Sequence, residues 1–172
     1  MIFKKILVPY DGSKFADKAL EHAIAIAKLS RGVNSNNTQI ILLHVVTEIP
    51  IPLTFERPIQ SPKTGRRVAL SEYITELYEE MKTNALKMLE ERKHRYALHE
   101  AIIEIKLLLG NPAEKIIDFA NQEKVDLIVI GNVGLSGISK VRALGSVSRS
   151  VSERASCPVF NSSLTTITTI AI

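Results

Sequence analysis

The sequence predicts an α/β domain in which a parallel sheet carries helices on both faces. Three observations lead there. Five short runs read as nearly continuous aliphatic residues: Ile6-Leu7-Val8, Ile40 to Val46, Ile102 to Leu109, Leu127 to Ile130 and Val159-Phe160. A strand with one wet face alternates apolar and polar residues, so unbroken runs point to strands buried on both faces. Stretches with helical periodicity separate these runs, and strand–helix alternation is the pattern of a parallel sheet. Hydrophobic residues make up 45% of the chain but aromatics only 5%, with no Trp, so the core must be aliphatic. At 172 residues the chain has the length of one domain. That is enough to bury a core without disulfides or a structural metal.

The first strand stops at Pro9, and Asp11-Gly12 makes a turn. Ser13 is a good helix N-cap. Ala16, Ala19, Leu20, Ala23, Ile24 and Ala27 then recur at helical spacing, an alanine-rich stripe that lets a helix lie close to a sheet. This helix is expected to end near Ser30 and Gly32, before a polar turn at 34–37. After the second strand, residues 47–68 carry four prolines, Gly65 and a basic pair. Proline removes a backbone donor, so the segment is expected to be an irregular excursion rather than a regular helix or central strand. Leu70, Tyr73, Ile74, Leu77, Met81, Ala85, Met88 and Leu89 form a long helical stripe. The third strand ends at Gly110-Asn111-Pro112, and proline suits the first position of a helix. Ala113, Ile116, Ile117 and Ala120 supply that helix with an apolar face. The fourth strand leads into a glycine-rich loop, and a helix with Val147, Val151 and Ala155 on one side precedes the fifth strand. The compact domain is expected over residues 1–160, with 161–172 an uncharged, atypical tail.

Composition excludes several function classes. The net charge is +4 and the pI about 9.2, but consecutive Lys or Arg occur only in pairs, as at Lys4-Lys5 and Arg66-Arg67. Nucleic-acid binders concentrate charge and, for single strands, stacking aromatics, so no nucleic-acid partner is expected. One cysteine excludes a disulfide framework and a multi-cysteine zinc site. The N-terminal apolar run is cut by Pro9, too short for a signal peptide. No window has the ~18 apolar residues of a membrane span, so a cytoplasmic location and no membrane partner are expected.

In open α/β sheets ligands bind at the carboxyl ends of the strands, where strand order reverses. Three such ends hold informative residues: Pro9 to Ser13, His44-Val45, and Gly131 to Gly134. Spaced glycines allow positive φ and let backbone N–H groups approach a phosphate. Gly145-Ser146 opens a helix, whose free N–H groups and dipole favour an anion. The alternative is that these glycines serve only tight turns and helix packing. The loop is not a Walker A motif, since no Gly-Lys-Ser/Thr follows. Nor is it a GxGxxG dinucleotide fingerprint, which belongs after a first strand.

Taken together, Ile6 to Ser13, Leu42-Leu43-His44-Val45, Gly110-Asn111-Pro112, Asp126 to Gly131 and the segment from Gly131 to Pro158 resemble the universal stress protein family. The pieces occur in the family's order from about Phe3 to Val159. The resemblance implies a five-stranded, Rossmann-like fold of the adenine nucleotide alpha-hydrolase type, with strand order 3-2-1-4-5, and a homodimer. It also implies binding of ATP or a related adenine nucleotide, with Mg²⁺ or Mn²⁺ in some members, by a sensor or regulator of the stress response. The family's nucleotide-binding pattern is G-x2-G-x9-G-[ST]. Here Gly131, Gly134, Gly145 and Ser146 match it, with ten residues rather than nine between the second and third glycines. Carried over by position, Pro9, Asp11 and Val45 would meet the adenine side. Gly131, Gly134, Gly145, Ser146 and Val147 would hold ribose and phosphates. Lys140, Arg142 and Arg149 are further candidates near a phosphate, with solvated surface as their default role.

No catalytic residue is expected, since no base or nucleophile is placed at the glycine loop; slow ATP hydrolysis or self-phosphorylation is the most that chemistry would allow. His44 reads as a satisfied strand-end histidine, and His22, His94 and His99 as solvated. Cys157 reads as a buried structural thiol. No i, i+4 histidine pair for a metal occurs, and the acid pair and phosphoacceptor of a phosphoreceiver domain are missing. The extra loop residue also suits a different function, a dimeric interaction module of the same fold that binds no nucleotide. The β-branched tail could extend the last strand and pair with a partner.

Overall fold

The computed structural model describes residues 3–31, 38–50, 58–96, 102–132 and 144–163. Strands β1 (Lys5–Pro9), β2 (Gln39–Val46), β5 (Ile102–Leu109), β6 (Leu127–Gly131) and β7 (Val159–Ser162) form one parallel sheet in the order β5-β2-β1-β6-β7. In terms of its five strands this is the expected order 3-2-1-4-5. A short antiparallel ribbon, β3 (Ile59–Gln60) with β4 (Arg67–Val68), stands apart. The helices are α1 (Lys14–Arg31), α2 (Leu70–Tyr96), α3 (Pro112–Gln122) and α4 (Ser146–Arg154).

The aliphatic runs explain the layering. In β1, Ile6, Leu7 and Val8 are wholly buried, and successive side chains serve opposite faces. Ile6 and Val8 join Ile40, Leu42, Leu127 and Val129 under α1 and α2. Leu7 joins Ile41, Leu43, Ile128 and Ile130 under α3 and α4. Four of the five alanines of α1 (Ala16, Ala19, Ala23, Ala27) are buried, which brings that helix down onto the sheet centre. Ser13 Oγ accepts from Ala16 N–H at 3.1 Å and starts α1. Asn111 does the same for α3, with Pro112 in its first turn.

Three details differ from expectation. The excursion is irregular only in part, because Ser61 organises its second half. Its hydroxyl accepts from the N–H groups of Lys63 and Thr64 at 3.2 Å and donates to Glu76 Oε2 at 2.6 Å, docking the ribbon on α2. Gly65, at φ +71°, lets the chain reverse there. Strand β7 runs to Ser162, two residues beyond Phe160, because Ser162 pairs with Gly131 and accepts Asn132 N–H at 2.8 Å. His22 is not simply solvated: its Nδ1 lies 2.9 Å from the buried Ser162 Oγ, and its ring meets Phe160 edge-on. His94 is exposed as expected. His99 and residues 164–172 lie outside the described residues.

Candidate functional site

Strand β1 sends its chain to α1 on one face, and β6 sends its chain to α4 on the other. The gap between these departing connections is where such sheets place ligands. A cavity of about 440 Å³ opens there, within the few hundred Å³ usual for small-molecule sites. Pro9, Asp11, Val45, Gly131, Gly145, Ser146 and Val147 all line it. Of the expected site residues only Gly134 is missing from this set, and it lies outside the described residues, as do Lys140 and Arg142. Arg149 is exposed on α4 and does not line the cavity.

The β1–α1 turn forms one wall. Gly12 adopts φ +84°, a left-handed conformation that side chains disfavour, and a Cβ there would stand 2.8 Å from Met88 Sδ. This turn lets Asp11 Oδ1 accept from Ser13 N–H at 3.0 Å. The carboxylate is thereby held at the cavity rim with its position set by backbone.

Strand β2 forms the floor. Tyr10 N–H donates to Leu43 O at 2.8 Å, the last rung between β1 and β2. Beyond it, the His44 ring places Nδ1 2.7 Å from the Tyr10 carbonyl. A carbonyl only accepts, so Nδ1 carries the proton. Val45, Leu43, Ile116, Ile130 and Val147 give the cavity an apolar wall.

The start of α4 forms the opposite wall. Gly145 is its N-cap at φ −62°, ψ 162°, and offers no side-chain cap bond. Helix α1 is capped by Ser13 and α3 by Asn111, whereas α4 opens on the cavity without such an internal acceptor. Its first-turn N–H groups and the positive end of its dipole are suited to an anion. The two ends of the loop are clipped together: Gly145 N–H donates to Asn132 O at 2.6 Å, and Ser148 Oγ lies 2.9 Å from the same carbonyl. Neither Gly131 nor Gly145 has the positive φ that the glycine pattern suggested. Gly131 answers to packing instead, since a Cβ would come within 2.9 Å of Phe15 backbone.

Sequence reasoning missed the support beneath this site. Tyr10 is 2% exposed. Its hydroxyl donates to Asp17 Oδ1, and Arg92 Nε lies 2.6 Å from Tyr10 Oη and 2.8 Å from Asp17 Oδ1. Burial, then the Asp17 hydrogen bond, push the Tyr10 phenol well above its ordinary range. The triad locks β1, α1 and α2 together at the cavity's edge. The available signal was a buried tyrosine between a proline and a turn, which needs a partner for its hydroxyl; nothing in the spacing pointed to Arg92. Cys157 is half-buried rather than buried, and burial raises its thiol pKa. Among the described residues no group of three or more His, Cys, Asp or Glu could hold a metal ion, and no helix is long and apolar enough to cross a membrane.

The sheet order and the cavity at its switch point define a doubly wound α/β protein with a ligand crevice. The model of the universal stress protein family matches residues 2–160, and the chain belongs to that family. Universal stress protein YxiE of Bacillus subtilis is 34% identical over 158 residues, covering 92% of this chain and 97% of that protein. Among solved structures, universal stress protein UspA from Lactobacillus plantarum superposes with a TM-score of 0.75 at 26% identity, over 94% of this chain and 99% of that one. A universal stress protein from Archaeoglobus fulgidus, solved in complex with dAMP, gives a TM-score of 0.53 at 25% identity, over 94% and 99% of the two chains.

Proposed function

We propose that this cavity binds an adenine nucleotide, ATP or a close relative, and that the protein acts as a nucleotide-responsive sensor or regulator in the cytoplasm. The observation that carries the reading is the uncapped start of α4 lining one side of a cavity whose other side is apolar. A flat, weakly polar base suits the wall of Val45, Ile116 and Ile130. Phosphates suit the N–H groups of Ser146 and Val147 and the Ser146 hydroxyl. Asp11, at the rim beside Pro9, suits a donor on the base or ribose. The Archaeoglobus fulgidus relative solved with dAMP adds support from outside this chain.

The described side chains form no cage for a divalent cation. A Mg²⁺ or Mn²⁺ accompanying ATP would therefore ride on phosphate oxygens and water, as Mg²⁺ commonly does in nucleotide sites. The exposed Phe160 on the edge strand β7 supports a homodimer of the proposed single domain, residues 1–160.

The test is calorimetric titration with ATP and AMP, each with and without Mg²⁺. Heat of binding with 1:1 stoichiometry is expected. The absence of heat for either nucleotide at millimolar concentration would overturn the reading and leave an interaction module of the same fold.

A further inference from the structure

Register along β1 and β2 sets what the next rung of the ladder should be. Pro9 lies opposite Leu43, which puts Tyr10 opposite His44. In a parallel pair, the residue that donates to one strand accepts from two residues further along. The Tyr10 N–H to Leu43 O bond should therefore be followed by Val45 N–H donating to the Tyr10 carbonyl. Among the described residues that bond is not formed. The Tyr10 carbonyl instead accepts from His44 Nδ1 at 2.7 Å. Val46 O accepts from Gly110 N–H, on the β5 side. By strand alternation the Val45 N–H and carbonyl therefore point to the β1 side, where the cavity lies.

We propose that His44 is a positioning residue that holds the β1–β2 crevice open: its ring takes the Tyr10 carbonyl in place of the Val45 amide, so that the backbone of Val45 is kept available to the base of a bound nucleotide. The inference rests on the proposed nucleotide site for its consequence but not for its geometry. A backbone N–H beside a C=O presents one donor and one acceptor. That matches the neighbouring ring nitrogen and amino group of a 6-aminopurine, and mismatches the N–H and carbonyl of a 6-oxopurine. The histidine is thus a strand-end group with a task, one that the bare reading of a satisfied histidine does not supply.

Three proteins test this: the wild type, His44→Leu and His44→Asn. Asparagine places its amide nitrogen where the imidazole holds Nδ1 and keeps the donor; leucine removes it. The first measurement is hydrogen exchange at the Val45 amide by NMR in nucleotide-free protein. Fast exchange is expected in the wild type and in His44→Asn. In His44→Leu the missing rung should form and slow exchange by about tenfold or more. The second measurement is AMP and IMP affinity. His44→Leu should lose about tenfold in AMP binding, the worth of one hydrogen bond to a preformed site, and His44→Asn should recover it, with AMP preferred to IMP in both wild type and His44→Asn. A protected Val45 amide in the wild type, or unchanged exchange in a folded His44→Leu, would overturn the proposal. So would slowed exchange with AMP affinity untouched. Because exchange is read without ligand, a chain that shows the expected exchange pattern yet binds no AMP would refute the nucleotide reading instead.

Discussion

Replacing Gly131 by alanine separates two explanations for the glycines of this site. An alanine Cβ at 131 would lie 2.9 Å from the Phe15 carbonyl carbon and Cβ and 3.0 Å from its carbonyl oxygen. Ordinary carbon contacts begin near 3.4 Å, so the first turn of α1 must retreat by about half an ångström, since backbone atoms cannot rotate away as a side-chain tip can. Phe15 follows the Ser13 cap, so the displacement strains a capped turn packed on the sheet centre. Overpacking of this kind costs about 1–3 kcal/mol. For a chain of this length each kcal/mol lowers Tm by about 2–4 °C, which gives a fall of roughly 2–12 °C by calorimetry or thermal circular dichroism. Gly145→Ala is the control: φ −62°, ψ 162° is a backbone conformation that any residue adopts, and Tm should stay within about 2 °C of wild type as a weaker cap is offset by a stiffer unfolded chain. If Gly131→Ala melts with the wild type, the close approach of α1 is not what demands glycine there, and the packing argument fails.

Other outcomes follow from the same geometry. Gly145→Asp would give α4 the side-chain cap it lacks. Stability should hold or rise by a few tenths of a kcal/mol, while the new carboxylate displaces and repels phosphate, so AMP affinity should fall at least tenfold and adenosine affinity much less; equal losses for both would count against phosphate binding at α4. The raised Tyr10 pKa means that the folded state keeps its phenolic proton where the unfolded chain loses it. Stability from this group is complete below its ordinary value of 10.0 and declines as pH climbs above it. Urea midpoints measured from pH 9 to 11 should fall in the wild type and fall less in Tyr10→Phe; parallel slopes would refute this. Ser61→Ala should free the β3–β4 ribbon, speeding tryptic cleavage at Lys63, Arg66 or Arg67 several-fold with Tm nearly unchanged, whereas unchanged cleavage would mean that Ser61 does not anchor it. The Cys157 thiol, half-buried and raised in pKa by burial, should react with a disulfide reagent more slowly than a free thiol at pH 8.

Much of this architecture is legible in particular residues. The unbroken aliphatic runs at 6–8, 40–43 and 127–130 read as strands buried on both faces, and Ser13, Asn111 and Pro112 mark helix starts by local chemistry that needs no tertiary context. The site was legible as far as it follows strand ends: Pro9, Asp11, Val45, Gly131 and Gly145 to Val147 do come together at one cavity. The Ser61 turn was less so, because four prolines hide a two-rung ribbon whose stability comes from Glu76, a residue on another element.

What the sequence determined by itself is therefore the five strands of the main sheet, the four helices and the place where their ends converge, since hydrophobic periodicity and capping act between near neighbours in the chain. Tertiary structure alone decided how those ends behave toward a ligand. That Phe15 packs where a Cβ of residue 131 would stand, that Arg92 reaches the hydroxyl of Tyr10, and that His44 takes a carbonyl the β-ladder would have used are contacts between residues 34 to 116 positions apart. Such contacts depend on register and layer order, which only the assembled sheet sets. The Rossmann-like fold places the crevice; the side chains packed around its rim decide what can enter it.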